Sequence, residues 1–168
     1  MMQLTIREPR AGDGAGLARA WLDAGAYYAA LNPELFQMPV VDGLVNEFEE
    51  QVLSATSEHS LVLVAEADKQ AVGYVWATIE QPSPLAAENF VRDIGLVRVI
   101  IQALVVQEAY RRQGIGTRLM EAAEAWARGR GAVIALLDTY VESPLSVPFY
   151  ERHMGYSRRA VRFRKELM

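Results

Sequence analysis

Residues 97–131 read VRVIIQALVVQEAYRRQGIGTRLMEAAEAWARGRG, and the change of pattern inside this stretch decides the fold. From Val97 to Val106 the sequence is almost continuously β-branched and aliphatic, the composition of a strand buried on both faces in the middle of a sheet. A polar turn, Gln107-Glu108-Ala109-Tyr110, follows, and then Arg111-Arg112-Gln113-Gly114-Ile115-Gly116 places two arginines and two glycines at a helix start. A helix N-terminus has unpaired backbone N–H groups and the positive end of the macrodipole, so this arrangement suits an anion. Beyond Ile115, Leu119, Met120, Ala123, Trp126 and Ala127 recur at helical spacing, and Glu124 can pair with Arg128 across one turn. Gly129 and Gly131 stop the helix, and residues 132–137 begin a second apolar strand. A right-handed crossover predicts that the two strands run parallel.

The rest of the chain fits around this unit. With 168 residues, 51% of them hydrophobic and 23% charged, it is expected to form a single domain, 1–168, with a substantial core. A net charge of −4 argues against a nucleic-acid binder. The absence of cysteine excludes disulfides, thiolate metal sites and a cysteine nucleophile, and it agrees with a reducing cytoplasm. No secretory segment opens the sequence and no apolar run is long enough for a bilayer, so a soluble cytoplasmic protein without membrane partners is expected.

In chain order, residues 4–8 read as an edge strand, and Asp13 as the N-cap of a short helix with Leu17, Ala20, Trp21 and Ala24 on its apolar face. Residues 25–39 read as irregular, with Tyr27, Tyr28, Phe36 and Met38 either sealing the core or lining a substrate pocket. Helical spacing returns over 41–54, with Leu44, Val45, Phe48, Val52 and Leu53 inward. Residues 60–65 and 71–80 form a hairpin around the turn Asp68-Lys69-Gln70, with Gly73 marking a bulge or close packing. Residues 81–95 contain two prolines and a candidate short helix over 85–92. After a loop at 138–144, Ser146 can cap a short helix holding Phe149-Tyr150-Glu151-Arg152-His153-Met154, which Gly155 ends. Residues 156–167 read as a terminal strand with Arg158, Arg159, Arg162, Arg164 and Lys165 on its exposed face.

This order of elements resembles the GNAT superfamily of acyl-CoA-dependent N-acyltransferases over nearly the whole chain. Two motifs carry the resemblance. Leu104-Val105-Val106 followed by Arg111-Arg112-Gln113-Gly114-Ile115-Gly116 is similar to the family's Arg/Gln-x-x-Gly-x-Gly/Ala pyrophosphate signature, and Phe149-Tyr150-Glu151-Arg152 before Gly155-Tyr156 is similar to a later family element. Other phosphate motifs fit worse: there is no Gly-Lys-Ser/Thr ending, and the third glycine of a dinucleotide fingerprint is missing. The resemblance implies an α/β fold of the α+β type: a mixed twisted central sheet flanked by helices, with a parallel strand pair splayed around an acyl-CoA cleft.

It further implies that acetyl-CoA is the co-substrate and that no metal is required. Its pyrophosphate would rest on backbone N–H groups from Arg112 through Gln113, Gly114, Ile115 and Gly116 to Thr117, with Arg111 or Arg112 adding charge. Leu104 and Val106 would offer backbone groups to pantetheine and to the thioester carbonyl, and Tyr150 would act as general acid on the departing thiolate. The interval from Tyr150 to Gly155 is one residue longer than the commonest family form. Ile100, Ile101 and Gln102 stand where members with a strand base carry glutamate, so a water chain or an acid from elsewhere must serve; Glu80 and Glu108 are the candidates, while His59 and His153 have a suitable intrinsic pKa but stand outside the family's catalytic positions. The implied activity is transfer of an acetyl group to the primary amine of a small molecule, peptide or protein in a ternary complex. A non-catalytic acyl-CoA-binding module is the alternative, and dimers are common in such a family.

Overall fold

The computed structural model describes residues 3–167, and the side chains of Val52 and Leu53, expected to face inward, lie outside the described residues. The described chain divides into two compact units between Asp138 and Thr139.

The first unit is built on a five-stranded sheet of order β1-β2-β3-β4-β5, with β1 Leu4–Arg7, β2 Ser60–Ala67, β3 Gln70–Glu80, β4 Arg98–Val106 and β5 Ile134–Leu136. Neighbours pair antiparallel as far as β4, while β4 and β5 are parallel, as the intervening helix predicts. Asp68 and Lys69 link β2 to β3, both with positive φ, 48° and 69°, the signature of a two-residue type I′ hairpin. Gly73 adjoins a bulge in β3, and a Cβ there would lie 2.6 Å from the carbonyl oxygen of Val105, so close packing excludes any side chain.

Helices α1 Gly14–Leu31 and α2 Leu44–Ser54 pack together and cover one sheet face, where Leu17 and Ala20 bury Val62, Val64, Tyr74 and Val105. Helix α3 Ile115–Arg128 packs on β3 and β4 and buries Ile115, Leu119, Met120, Ala123 and Ala127. The Glu124–Arg128 pair forms at 3.0 Å, and the left-handed residue that follows α3 is Gly131.

Several expectations are corrected. Helix α1 continues through Gly25 to Leu31, because Gly25 is the contact point for Pro39: a Cβ there would lie 2.4 Å from the proline Cδ. Asp13 makes no side-chain cap. Its carboxylate instead receives Arg7 Nη2 at 2.7 Å and the Arg10 backbone N–H at 2.8 Å, while Arg7 and Arg10 also bind Glu66. Val45 is exposed although Leu44 beside it is buried. Residues 85–92 form no α-helix; two 3₁₀ turns, Ala86–Glu88 and Arg92–Gly95, take their place. Strand β4 is not buried on both faces, since Gln102 is exposed and Ile100 half-buried.

The second unit begins with a turn rather than the expected Ser146 cap: Ser143 Oγ accepts the Ser146 N–H at 3.0 Å, and Val147 donates to the Ser143 carbonyl. A three-residue helix, α4 Ser146–Pro148, runs into a π turn at Phe149–His153, closed by Met154 N–H on the Phe149 carbonyl. Residues 156–167 form no strand. Five of these residues are basic and Val161 and Phe163 are exposed, so the segment has too little apolar surface to sustain a ladder without a neighbouring strand.

Candidate active site

The end of β4 offers backbone groups to one side. Gln107 N–H bonds the Val72 carbonyl at 2.8 Å, which makes that pair a hydrogen-bonded one in the antiparallel ladder. Alternation then turns the N–H and C=O of Val106, opposite Gly73, and of Leu104, opposite Val75, away from β3. They point to the side of β5, yet β5 pairs only with Arg98, Val99 and Ile100. Beyond that row the parallel pair has no ladder, so Leu104 and Val106 carry main-chain groups without a strand partner among the described pairings.

The turn that follows is held in place by α1 and β3. Gln107 Nε2 donates to the carbonyls of Gly16 and Ala71, each at 3.0 Å, and the Glu108 N–H donates to Asp23 Oδ2 at 2.8 Å. Gly16 permits this contact, since a Cβ there would lie 2.1 Å from the Ala71 carbonyl oxygen. Arg111 folds back: its Nε donates to the Val106 carbonyl at 3.0 Å, and its guanidinium lies over the Tyr27 ring, 5.6 Å from the centroid. That placement leaves Arg112, exposed and left-handed at φ +59°, as the arginine directed to solvent.

Gln113 and Gly114 complete the turn, and Gly114, at φ +79°, is the N-cap of α3 with no side-chain cap. The first helical bond is Arg118 N–H to the Gly114 carbonyl, so the N–H groups of Ile115, Gly116 and Thr117 lead the helix without partners from its own backbone. No acidic residue occupies the first turn. Ile115 is buried and fixes the helix on the sheet. An uncapped, sheet-anchored helix start next to an exposed arginine fits a diphosphate, and the open main chain at Leu104 and Val106 fits an amide-bearing arm.

The ionisable candidates for a base are dispersed. Glu80 is paired with Arg98 at 2.9 Å, Glu108 and His59 are exposed, and His153 stacks on Phe149. In the second unit Tyr150 makes edge contacts with Phe149 and Tyr156, and its carbonyl accepts the Tyr156 N–H at 2.9 Å. Glu151 pairs with Arg158, and that guanidinium lowers its carboxyl pKa. Asp23 carries no local signal in the sequence, and although Gln107 and Tyr27 stand out there, their anchoring roles do not, because the partners of all three are remote in the chain. Among the described residues, no group of three or more histidine, aspartate or glutamate side chains is placed to hold a metal ion, and no helix is long and apolar enough to cross a membrane.

Comparison with known proteins identifies the family and the fold. The profile of the Acetyltransferase (GNAT) family matches residues 20–156. An aminoglycoside N(6')-acetyltransferase type 1 of Klebsiella aerogenes is 31% identical over 110 residues, covering 62% of this chain and 68% of the relative. In fold, the chain is similar to a transcriptional regulator from Bacillus halodurans C-125, with a TM-score of 0.69 and 24% identity over 98% of this chain and 100% of the other. It is also similar to the aminoglycoside N-acetyltransferase AAC(6')-Iy in complex with CoA, with a TM-score of 0.62 and 18% identity over 99% and 97% of the two chains. Together, the uncapped turn after β4, the parallel pair beside it and the matched profile show that the chain belongs to the GNAT family of acetyltransferases.

Proposed function

We propose that the chain is an acetyl-CoA-dependent N-acetyltransferase acting on the primary amine of a small molecule by direct attack in a ternary complex. The observation that carries this reading is the uncapped start of α3 beside the backbone of Leu104 and Val106, which β5 leaves without a strand partner. The Klebsiella relative, an aminoglycoside acetyltransferase by name, favours a small-molecule acceptor over a protein one.

Bound acetyl-CoA would supply an acetyl group activated as a thioester. The backbone N–H groups of Gln113, Gly114, Ile115, Gly116 and Thr117 hold its pyrophosphate, and Arg112 adds the mobile charge. Arg111 contributes indirectly by fixing the Val106 carbonyl and the turn. Leu104 aligns pantetheine through its main chain. The Val106 N–H faces the carbonyl oxygen that gains charge as the amine attacks, and one preorganised donor of this kind contributes about 3 kcal/mol. Attack forms the C–N bond and breaks the C–S bond; Tyr150, on the strength of its family motif, gives the thiolate its proton, and water removes the proton from the amine. A positioned acid contributes about 10²–10⁴ in rate.

Calorimetry and thermal melting with acetyl-CoA test the donor half. Saturating acetyl-CoA should raise Tm, a concentration of 100 Kd stabilising by about 2.7 kcal/mol; neither binding nor a shift would sink the reading. Thiol release with a panel of amines tests the chemistry. Gln102 in place of a strand carboxylate favours the acyl-CoA-binding module as second reading, and cofactor binding without turnover would select it.

A further inference from the structure

Helices α1 and α2 cover only part of their sheet face. The row Val64, Tyr74 and Val105 is buried beneath them. One row along, Trp76 emerges with 40% of its surface exposed, and in the next row Ser60, Thr78 and Ile100 are half-buried. Gln102 joins this floor through a bulge: Trp76 opposes Ala103 and Ala77 opposes Ile101, so Gln102 has no ladder partner and its side chain is exposed. The bulge directly follows the last row that β5 pairs and lies two residues before Leu104, so the floor is continuous with the cleft described above.

The polar groups of the floor are held in fixed positions. Trp76 Nε1 donates to Ser60 Oγ at 3.1 Å, and Gln102 Nε2 donates to Thr78 Oγ1 at 3.0 Å. With its N–H engaged on Ser60, the indole offers aromatic surface to solvent, and one amide and two hydroxyls belong to the same part of the sheet. None of these groups ionises near neutral pH. The nearest charges along the face, Glu80 and Arg98, neutralise each other. An aromatic surface accompanied by hydroxyl and amide groups matches a saturated ring with a C–H face and hydroxyl substituents.

We infer that Ser60, Trp76, Thr78 and Gln102 form the acceptor subsite, and that the acceptor is a hydroxylated, amino-sugar-type ring stacked on Trp76 and oriented by Gln102. The inference rests on the transferase reading above and adds the substrate class and the residues that select it.

The test compares neamine with cyclohexylmethylamine, a primary amine on a six-membered ring without hydroxyls, in the wild type, Trp76→Ala, Trp76→Phe and Gln102→Leu. Wild type should prefer neamine at least tenfold in kcat/KM. Trp76→Ala and Gln102→Leu should each lower kcat/KM for neamine tenfold or more, mainly through its KM, with acetyl-CoA Kd changed less than twofold. Trp76→Phe should recover most of the loss. Equal use of the two amines by wild type, or wild-type kinetics in Trp76→Ala and Gln102→Leu, would overturn the inference while leaving the transferase reading standing. Failure of the wild type to bind acetyl-CoA would instead overturn that reading. If Trp76→Ala loses acetyl-CoA affinity along with its fold, the exposed position Gln102 and the conservative Trp76→Phe decide.

Discussion

The two connections at the ends of β4 are built on opposite principles. The turn from Gln107 to Gly114 is tied to its surroundings by Gln107 on Gly16 and Ala71, Glu108 on Asp23, and Arg111 on Tyr27. The connection over 81–97 bonds largely to itself, through Ser83 N–H on the Ile94 carbonyl at 2.7 Å and Val91 N–H on Asn89 Oδ1 at 2.8 Å, and it leaves Phe90 97% exposed. The difference follows from what each end handles. A diphosphate cradle works only if its N–H groups are already aimed, so the ordering entropy is met during folding, whereas a self-bonded loop leaves its sequence free to vary.

The largest expected effect comes from cutting the first turn's foundation at the start of α1. Asp13 is almost wholly buried against Arg7, and Asp13→Ala should destabilise by about 3 kcal/mol in urea titration, since it leaves the half-buried Arg7 guanidinium with only Glu66 and the Glu8 carbonyl as partners. Arg7 and Arg10 outweigh the burial of the Asp13 carboxyl and hold its pKa below the ordinary value. Its contribution is therefore complete above the unfolded carboxylate pKa and is lost as pH falls through the lower folded one; the mutant should lose less stability than wild type on acidification. Gln107→Ala should come next, at about 2 kcal/mol for the two half-buried carbonyls it abandons, with acetyl-CoA affinity falling several-fold. Equal affinity in wild type and Gln107→Ala would show that the tethers do not serve the cradle.

Smaller effects sharpen the contrast. Gly114→Ala meets no atom within 4 Å, so its cost is the left-handed backbone alone, about 1 kcal/mol, accompanied by weaker acetyl-CoA binding. Phe90→Ser, in the other connection, should shift stability by less than about 0.5 kcal/mol in the same urea titration.

The same contrast explains what the sequence made legible. The strand, glycine turn and helix over 97–131 could be read because each signal is local: an apolar run, paired arginines and glycines, and a stripe of period 3.6. Gly25 was misleading because its role is tertiary; a glycine that admits Pro39 looks in sequence like one that ends a helix. The apolar residues among the arginines of 156–167 suggested a strand, but a ladder needs a partner, and local composition does not supply one. For the acceptor floor, the alternation of β3 and β4 placed side chains on faces without revealing that α1 and α2 stop short of Trp76 and Gln102.

The π turn at Phe149–His153 bears on how this chain tolerates change in length. A helix that closes one loop with six residues instead of five can absorb an inserted residue as a local widening. Here the wider turn lies between Tyr150 and Gly155, and Tyr156 bonds back to the Tyr150 carbonyl and rests its ring 5.9 Å away. A one-residue change of length taken up by such a turn would be silent at its edges, leaving the tyrosine's immediate neighbours in register.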